Sequence, residues 1–531
     1  MPPITSRGSL TVCGIVLVML IAGCTSPAAK PSAPPGQDAP LDWVERALPN
    51  GDNHDHLDHT HHVGLSTPNF EILGWDPLLT DHMSAQAGGY ECGDLATKDG
   101  RTLAVVHSFT SDVAFVLMDV TEPTKPEKIG ELVMENTHVY DVVMTPDQKY
   151  VLLATSPLGQ VDDGTLFRRP IETGYTARAS FVDACTGTTR PVGGPAAALP
   201  YHSGVVLVDI SDPGTPAITD FRPLPLLGGH SIVVRDLGGE TIALVSVSSG
   251  DPVTNYYAFL GIQATALGDR LETYSIYETD PVVEPLDGIP YVTGRPYGHE
   301  GSLHVHPGTG GHIAYLADGT YGVTLLDITD PREPHAIGHW NDATEIANPD
   351  PSEHFAHTVL PIDTLWDGRH YSFVSEECTA RPSETPSCLV YVLDTTDPAA
   401  PKLTGAWTLP TEVGGWTWPT FSPHYMAVID RTLFVAHFHA GLWAFDVSSA
   451  EAIADLTPVG VFLPEHDTGY EPSGRLFEEV NQRPLVADVL PYGENLVTFD
   501  ATSGVYVLRF DPTRPAPAPE PWPLRIPDAR T

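Results

Sequence analysis

Histidine is the side chain of this 531-residue sequence best placed to do chemistry: there are 23, and several recur just ahead of apolar, strand-like stretches. His138 stands in THVYDVV, His230 in GHSIVV, His299 in GHEGSLHVH, His357 in HFAHTVL and His424 in SPHYMAV. A neutral imidazole offers a borderline nitrogen donor, so five gathered round one point would suit copper or zinc. Glu91 and Asp488 occupy corresponding places near the two ends of the repeated region, and Glu300 and Glu353 flank two of the histidines, so mixed nitrogen and carboxylate ligation is open to the site. Two HxH pairs, His304 with His306 and His437 with His439, put both rings on one strand face and are candidates for the same cluster. The alternative is structural: histidines at repeat boundaries can donate to carbonyls of the next repeat and be kept for stability alone. The sequence leaves both readings open.

Convergence of residues so far apart needs a repeating scaffold, and one is present. FVLMDVTEPTKP (115–126), VVLVDISDPGTP (205–216), VTLLDITDPREP (323–334) and VYVLDTTDPAAP (390–401) each end an apolar run in Asp, with prolines four and seven residues later. Proline fixes φ and donates no hydrogen bond, so it stops the strand at a turn. Weaker copies are LWAFDVSS (442–449) and VYVLRFDP (505–512), where Arg509 replaces the Asp. The positions 327, 394, 446 and 509 are 67, 52 and 63 residues apart, the length of one four-stranded blade with variable loops. The 118 residues between Asp209 and Asp327 hold a further divergent unit, expected to end near LETYSIYE (271–278).

A second recurring piece, an apolar strand after a polar turn, occurs as DGRTLAVVHS, DQKYVLLATS, GGETIALVSV, GGHIAYLADG, DGRHYSFVSE, DRTLFVAHFH and GENLVTFDAT. Both counts give seven, and the fold class expected is all-β: a seven-bladed β-propeller with four-stranded antiparallel blades. The repeats resemble the LVIVD-repeat family of exported propellers, whose motif is matched by VVLVDISDP, VTLLDITDP and VYVLDTTDP across roughly residues 85–512. The resemblance implies architecture and not activity, since propellers host binding and catalysis alike. A redox metal in the channel would be similar in kind to the sites of selenium-binding and methanethiol oxidase propellers, whose particular motifs do not occur here.

The chain starts with an address. Arg7, the apolar run Leu10 to Ala22 and the sequence Ile21-Ala22-Gly23-Cys24 resemble a bacterial lipobox, and the run is too short to span a bilayer comfortably. The expected organisation is a lipoprotein signal peptide at 1–23 with lipidation on Cys24 and a Pro/Ala-rich tether with a His-rich segment at 24–65. The propeller follows at 66–512 with an insertion at 156–200, and a Pro-rich tail at 513–531. The insertion is expected to form a flap on one face, and nothing in the sequence marks which terminal strand closes the ring. NHDHLDHTHH (53–62) packs five histidines and two acids into the end of the tether, a tract able to bind divalent metal or merely to be solvated.

Removing residues 1–23 takes away Arg7 and no acid, leaving 26 basic against 68 acidic residues, a formal charge of −42. Such a surface repels nucleic acid and anionic lipid. Cys92, Cys185, Cys378 and Cys388 remain in an oxidising compartment and are expected as two disulfides, Cys378 with Cys388 and Cys92 with Cys185. No nucleophile elbow, HExxH helix, Walker loop or dinucleotide fingerprint is present. Two functions from different classes follow. One is a monomeric, membrane-anchored extracellular scaffold that binds a protein, glycan or small molecule. The other is a copper- or zinc-dependent oxidoreductase or hydrolase with His138, His230, His299, His357 and His424 as ligands at the channel.

Overall fold

The computed structural model describes residues 66–514, together with 524–525. Within that span it leaves out 79–89, 109–112, 136, 157, 161–165, 169–178, 198–202, 225–227, 248–255, 267, 280–297, 320, 342–354, 378–387, 409–410, 413–421, 439, 465–484 and 502. The signal peptide, Cys24, the tether with its His-rich tract, Glu353, Cys378 and His439 therefore lie outside the described residues.

Seven small antiparallel sheets follow one another round a ring, the arrangement of a seven-bladed β-propeller. The innermost strands are Tyr90–Lys98, His138–Met144, Gly229–Leu237, Gly301–Val305, Phe355–Pro361, Met426–Ile429 and Val486–Tyr492 for blades one to seven. The divergent unit is blade three, whose outermost strand is Gly268–Glu278, where the sequence placed it. The seven strands introduced by polar turns are the second strands of the seven blades.

The chain closes the ring with its N-terminal strand. Phe70–Asp76 pairs antiparallel with Gly504–Phe510 and becomes the outermost strand of blade seven. The insertion divides: Leu158–Gln160 and Leu166–Arg168 form a two-stranded hairpin separate from the blades, whereas Ala179–Asp183 pairs with Glu127–Met134 and Thr189–Pro191 adds beyond it, widening blade one to six strands. The backbone groups of blade one's fourth strand, otherwise an exposed edge, are satisfied in this way.

Each blade lies face to face with two neighbours, so its middle strands must be apolar on both faces, which is why they read as continuous rather than alternating runs. Val105 packs into the layer between blades one and two, whereas Ala104 and Val106 pack into the layer between seven and one. Seven such layers, one between each adjacent pair of blades, form the core.

The repeated motif earns its residues in the turn. The Asp accepts from the backbone N–H two residues on, as in Asp209 to Ser211 (2.8 Å), Asp327 to Thr329 (2.8 Å) and Asp394 to Thr396 (3.0 Å). The next backbone N–H bonds the turn between the first two strands of the same blade, as Ile328 N to His312 O (2.9 Å). In blade seven Arg509 instead pairs with Glu71 across the closing strand (3.4 Å). The proline turn of one blade presses on the outer strand of the blade before it: a Cβ on Gly338 would lie 2.0 Å from Pro398 O.

The expected Cys92–Cys185 bridge does not form: both are free thiols, Cys92 buried and Cys185 exposed. Cys92 is on the first strand of blade one and Cys185 follows the fifth. Four strand spacings of about 4.8 Å separate them, far beyond disulfide reach. Cys388 carries no free thiol.

Candidate metal centre

The inner strands do not run smoothly into the channel. Register shifts occur between Tyr90 and Gly93, Val139 and Asp141, Gly229 and Ile232, Ala356 and Thr358, and Val486 and Asp488, near the start of five of the seven inner strands. A β-bulge leaves residues unpaired and re-aims their side chains. His230 and His357 sit within such bulges, while His299 and His424 enter the inner strands of the blades that lack them.

The structure therefore gathers the predicted histidines from blades that are distant in sequence. His230 and His299 have ring centroids 4.4 Å apart, His299 and His357 4.1 Å, and His357 and His424 4.1 Å. His138 joins this run through Tyr140, whose ring is 4.5 Å from His138 and 4.9 Å from His230.

Donor atoms, and not only rings, converge. His230 Nε2 is 3.0 Å from His299 Nε2, and Glu377 Oε2 is 3.5 Å from His299 Nε2 and 3.9 Å from His357 Nε2. Donors of His299, Glu300 and His357 also lie within 4.8 Å of one another. Four ligands held about 2.05 Å from a tetrahedral ion are about 3.3 Å apart, so the observed spacings bracket that of a coordination shell. On the outer side, His357 Nδ1 is 2.7 Å from Thr358 Oγ1 and His424 Nδ1 is 2.7 Å from Ala487 O. Donation from Nδ1–H to either oxygen leaves Nε2 as the lone-pair nitrogen facing inward, the usual support for a ligating histidine.

The electrostatics favour a cation. Burial holds His299 and His424 down to about 3, His138 to about 4, and His230 and His357 well below the ordinary imidazole value, so all five are unprotonated at neutral pH. Burial pushes the carboxyls the other way: Glu300 and Glu377 up to about 8, Glu91 and Asp488 to about 7, and Asp141 well above its usual range. Among the described residues, no lysine or arginine figures among the charges acting on these carboxyls. Buried carboxyls and neutral imidazoles without a cation are a donor set whose charge balance a bound metal would supply.

Part of the polar ring is structural. Asp94 accepts from Met144 N (2.8 Å), Asp141 from Ile232 N (2.8 Å) and Asp488 from Gly93 N (3.1 Å), each stitching its blade to the next. Ser231 Oγ donates to His299 O (2.6 Å) and Ser375 Oγ to His424 O (2.6 Å) in the same way. Asp488, paired with Glu91 in the sequence, thus spends both oxygens on backbone N–H groups. His424 does both, stitching blade six to seven through Nδ1 while its ring lies against His357.

The HxH pairs stand apart. His304 stacks on His370, and His306 meets the same ring edge-on, between blades four and five. His306 spends Nε2 on Thr395 O (2.9 Å) and Nδ1 on Thr309 N (3.1 Å), and His370 spends its nitrogens on Thr395 Oγ1 and Ile362 O (2.8 Å each), so neither can bind a metal. His437 is buried beside Trp407. Sequence reasoning did not find Glu377 or His107, both near the ends of second strands. The available signal was a charged or imidazole side chain at the channel end of an otherwise apolar strand, in SFVSEE and AVVHS.

No protein-family model matches this chain, and no curated protein matches it. Among solved structures it is similar to the computationally designed Ika8 protein, at 8% identity and a TM-score of 0.39 over 82% of this chain and 100% of that one. It is also similar to a protein from Lactobacillus plantarum, at 12% identity and a TM-score of 0.39 over 68% of this chain and 83% of that one. The strand pairing, rather than either likeness, establishes the ring.

Proposed function

We propose that this chain is an exported, lipid-anchored propeller of the LVIVD-repeat type that holds copper or zinc in its channel and works as a metal-dependent oxidoreductase or hydrolase on a small extracellular molecule. The observation that carries this reading is a run of donor atoms: His230 Nε2 is 3.0 Å from His299 Nε2, Glu377 Oε2 is 3.5 Å from His299 Nε2 and 3.9 Å from His357 Nε2, and donors of His299, Glu300 and His357 lie within 4.8 Å of one another. A bound metal would supply Lewis acidity or one-electron chemistry, according to its identity. The chain's own contribution is a preformed donor set: imidazoles kept unprotonated, those of His299, His357 and His424 buried, with hydrogen bonds on Nδ1 of His357 and His424 fixing how those rings face.

Surface placement rests on the apolar run before Cys24 and the Pro/Ala/Ser tether after it. Among the described residues no helix is long and apolar enough to cross a membrane. A Cys378–Cys388 bridge closing one loop of blade five fits the same oxidising compartment.

The test is elemental analysis of the purified full chain, before and after chelation and reloading with copper or zinc. Metal retained at near one equivalent or more, and lost from the channel site when His230 and His357 are both replaced by Ala, supports the reading. Protein that takes up no metal and keeps the same stability in chelator overturns it and favours a scaffold that binds through its faces.

A further inference from the structure

We propose a second metal site in the same channel, formed by Glu91, Cys92 and His107 of blade one, which takes a thiophilic transition-metal ion such as zinc or copper. It is a separate donor set and does not rest on the His230–His299–His357 centre.

The site is a product of one bulge. Strand Tyr90–Lys98 pairs with Arg101–Ser108 from Tyr90 opposite Ser108, then resumes at Gly93 opposite Val106, so Glu91 and Cys92 are both set against His107. In a regular strand, consecutive side chains point to opposite faces. Here one sulfur, one ring nitrogen and one carboxylate oxygen all lie within 4.8 Å of one another.

Two independent observations point to an ion. His107 is fully buried; its ring is set toward the backbone of Val139, and at least one ring nitrogen has no hydrogen-bond partner. Leaving a buried imidazole nitrogen unpaired costs about 1–3 kcal/mol, which coordination at that nitrogen would remove. Cys92 is a free thiol at 6% exposure, and the charges around it are the carboxyls of Asp141, Glu91, Asp488 and Glu300. A buried free thiol beside an imidazole and a carboxyl is a set that an ion completes by displacing the sulfur's proton to solvent. Sulfur, nitrogen and carboxylate oxygen from three residues are the donor set of a borderline ion, and the sulfur disfavours magnesium and calcium.

The probe is cobalt(II) added to the chelated full-length protein. The expected result is two equivalents bound, one giving the near-ultraviolet thiolate-to-cobalt charge-transfer absorption. Cys92→Ser loses that band and one equivalent, His107→Ala weakens it at least tenfold in cobalt affinity, and Cys185→Ser, which removes the exposed thiol, keeps it. His230→Ala with His357→Ala keeps the band and loses the other equivalent, so failure of the first centre is distinguishable from failure of this one. Thermal melts in chelator establish that each variant is folded. To cover a Cys92→Ser chain that does not fold, alkylation of wild-type Cys92 after brief denaturation is compared with and without cobalt, and protection is expected. A wild-type protein without a thiolate band, or a folded Cys92→Ser protein that still binds two equivalents, overturns the proposal.

Discussion

Thr358→Val separates a ligating His357 from one that merely packs. The Thr358 hydroxyl is 2.7 Å from His357 Nδ1, and both side chains are buried, at 8% and 1% exposure. Valine has nearly the same volume, so no cavity opens, but the oxygen that fixes the ring's tautomer is gone. Loss of such an outer hydrogen bond weakens a metal site about 10- to 100-fold, or about 1.4–2.7 kcal/mol. The metal-free protein is also expected to lose about 1–3 kcal/mol, because Nδ1 is left unpaired in a buried setting. The two effects are measured apart: denaturant unfolding in chelator gives the second, and competition with a chelator of known affinity gives the first. Thr358→Ser keeps the hydroxyl and should restore most of the metal affinity. If metal affinity stays within about twofold of wild type while only the metal-free stability falls, the ring is a packing residue and the assignment of its Nε2 as a donor is wrong.

Three further outcomes follow from the fold. Gly338→Val forces a side chain against Pro398 O, 2.0 Å from the ideal Cβ, and should destabilise by about 3 kcal/mol or more in urea unfolding, whereas Gly193→Val, whose Cβ meets nothing within 4 Å, should change stability far less. His304 and His370, held by burial to about 4 against an ordinary 6.5, bind fewer protons folded than unfolded between those values. Stability should therefore fall as pH drops from about 6.5 to about 4, by up to about 3 kcal/mol per group, and His304→Gln should reduce that loss in melts taken across the range. Deleting the closing strand Phe70–Asp76 strips blade seven of its outer edge and exposes the apolar layer around Phe434, Phe462 and Phe510, so the expected result is aggregation or a much lower melting temperature.

The architecture was legible because it is written locally and repeatedly. An Asp that caps a turn, a proline that ends a strand and an apolar run buried on two faces all act within a dozen residues, and they recur. Even the unmarked blade three could be placed by counting. The closing strand was not legible, because FEILGWD carries no repeat mark and its partner, Gly504–Phe510, lies at the far end of the fold. The five histidines were found by their position ahead of the inner strands. Glu377, His107 and the true environment of Cys92 were missed because a bulge decides them, and a bulge depends on pairing between strands rather than on the residues of one. The HxH pairs misled for a related reason: sharing a strand face fixes a direction, while the distance along the strand decides whether that face meets the channel or, as for His304 and His306, the neighbouring blade.

The ring's polar positions divide into those that hold backbone N–H groups of a neighbouring blade and those whose side chains face one another. Asp94, Asp141 and Asp488 each hold two backbone N–H groups, one of them in the neighbouring blade, so they account for cohesion without any ligand. A ring needing only cohesion could use such residues all the way round, and between blades three and six serines largely perform that task. The imidazoles of His230, His299 and His357 and the carboxyl of Glu377 instead face one another, with His299, His357 and Glu377 buried, where polar groups are costly. Stability alone would favour apolar side chains in their place. Their presence at donor-to-donor spacings of 3.0–3.9 Å is the physical reason for placing this protein's chemistry in the channel and not on its acidic outer faces.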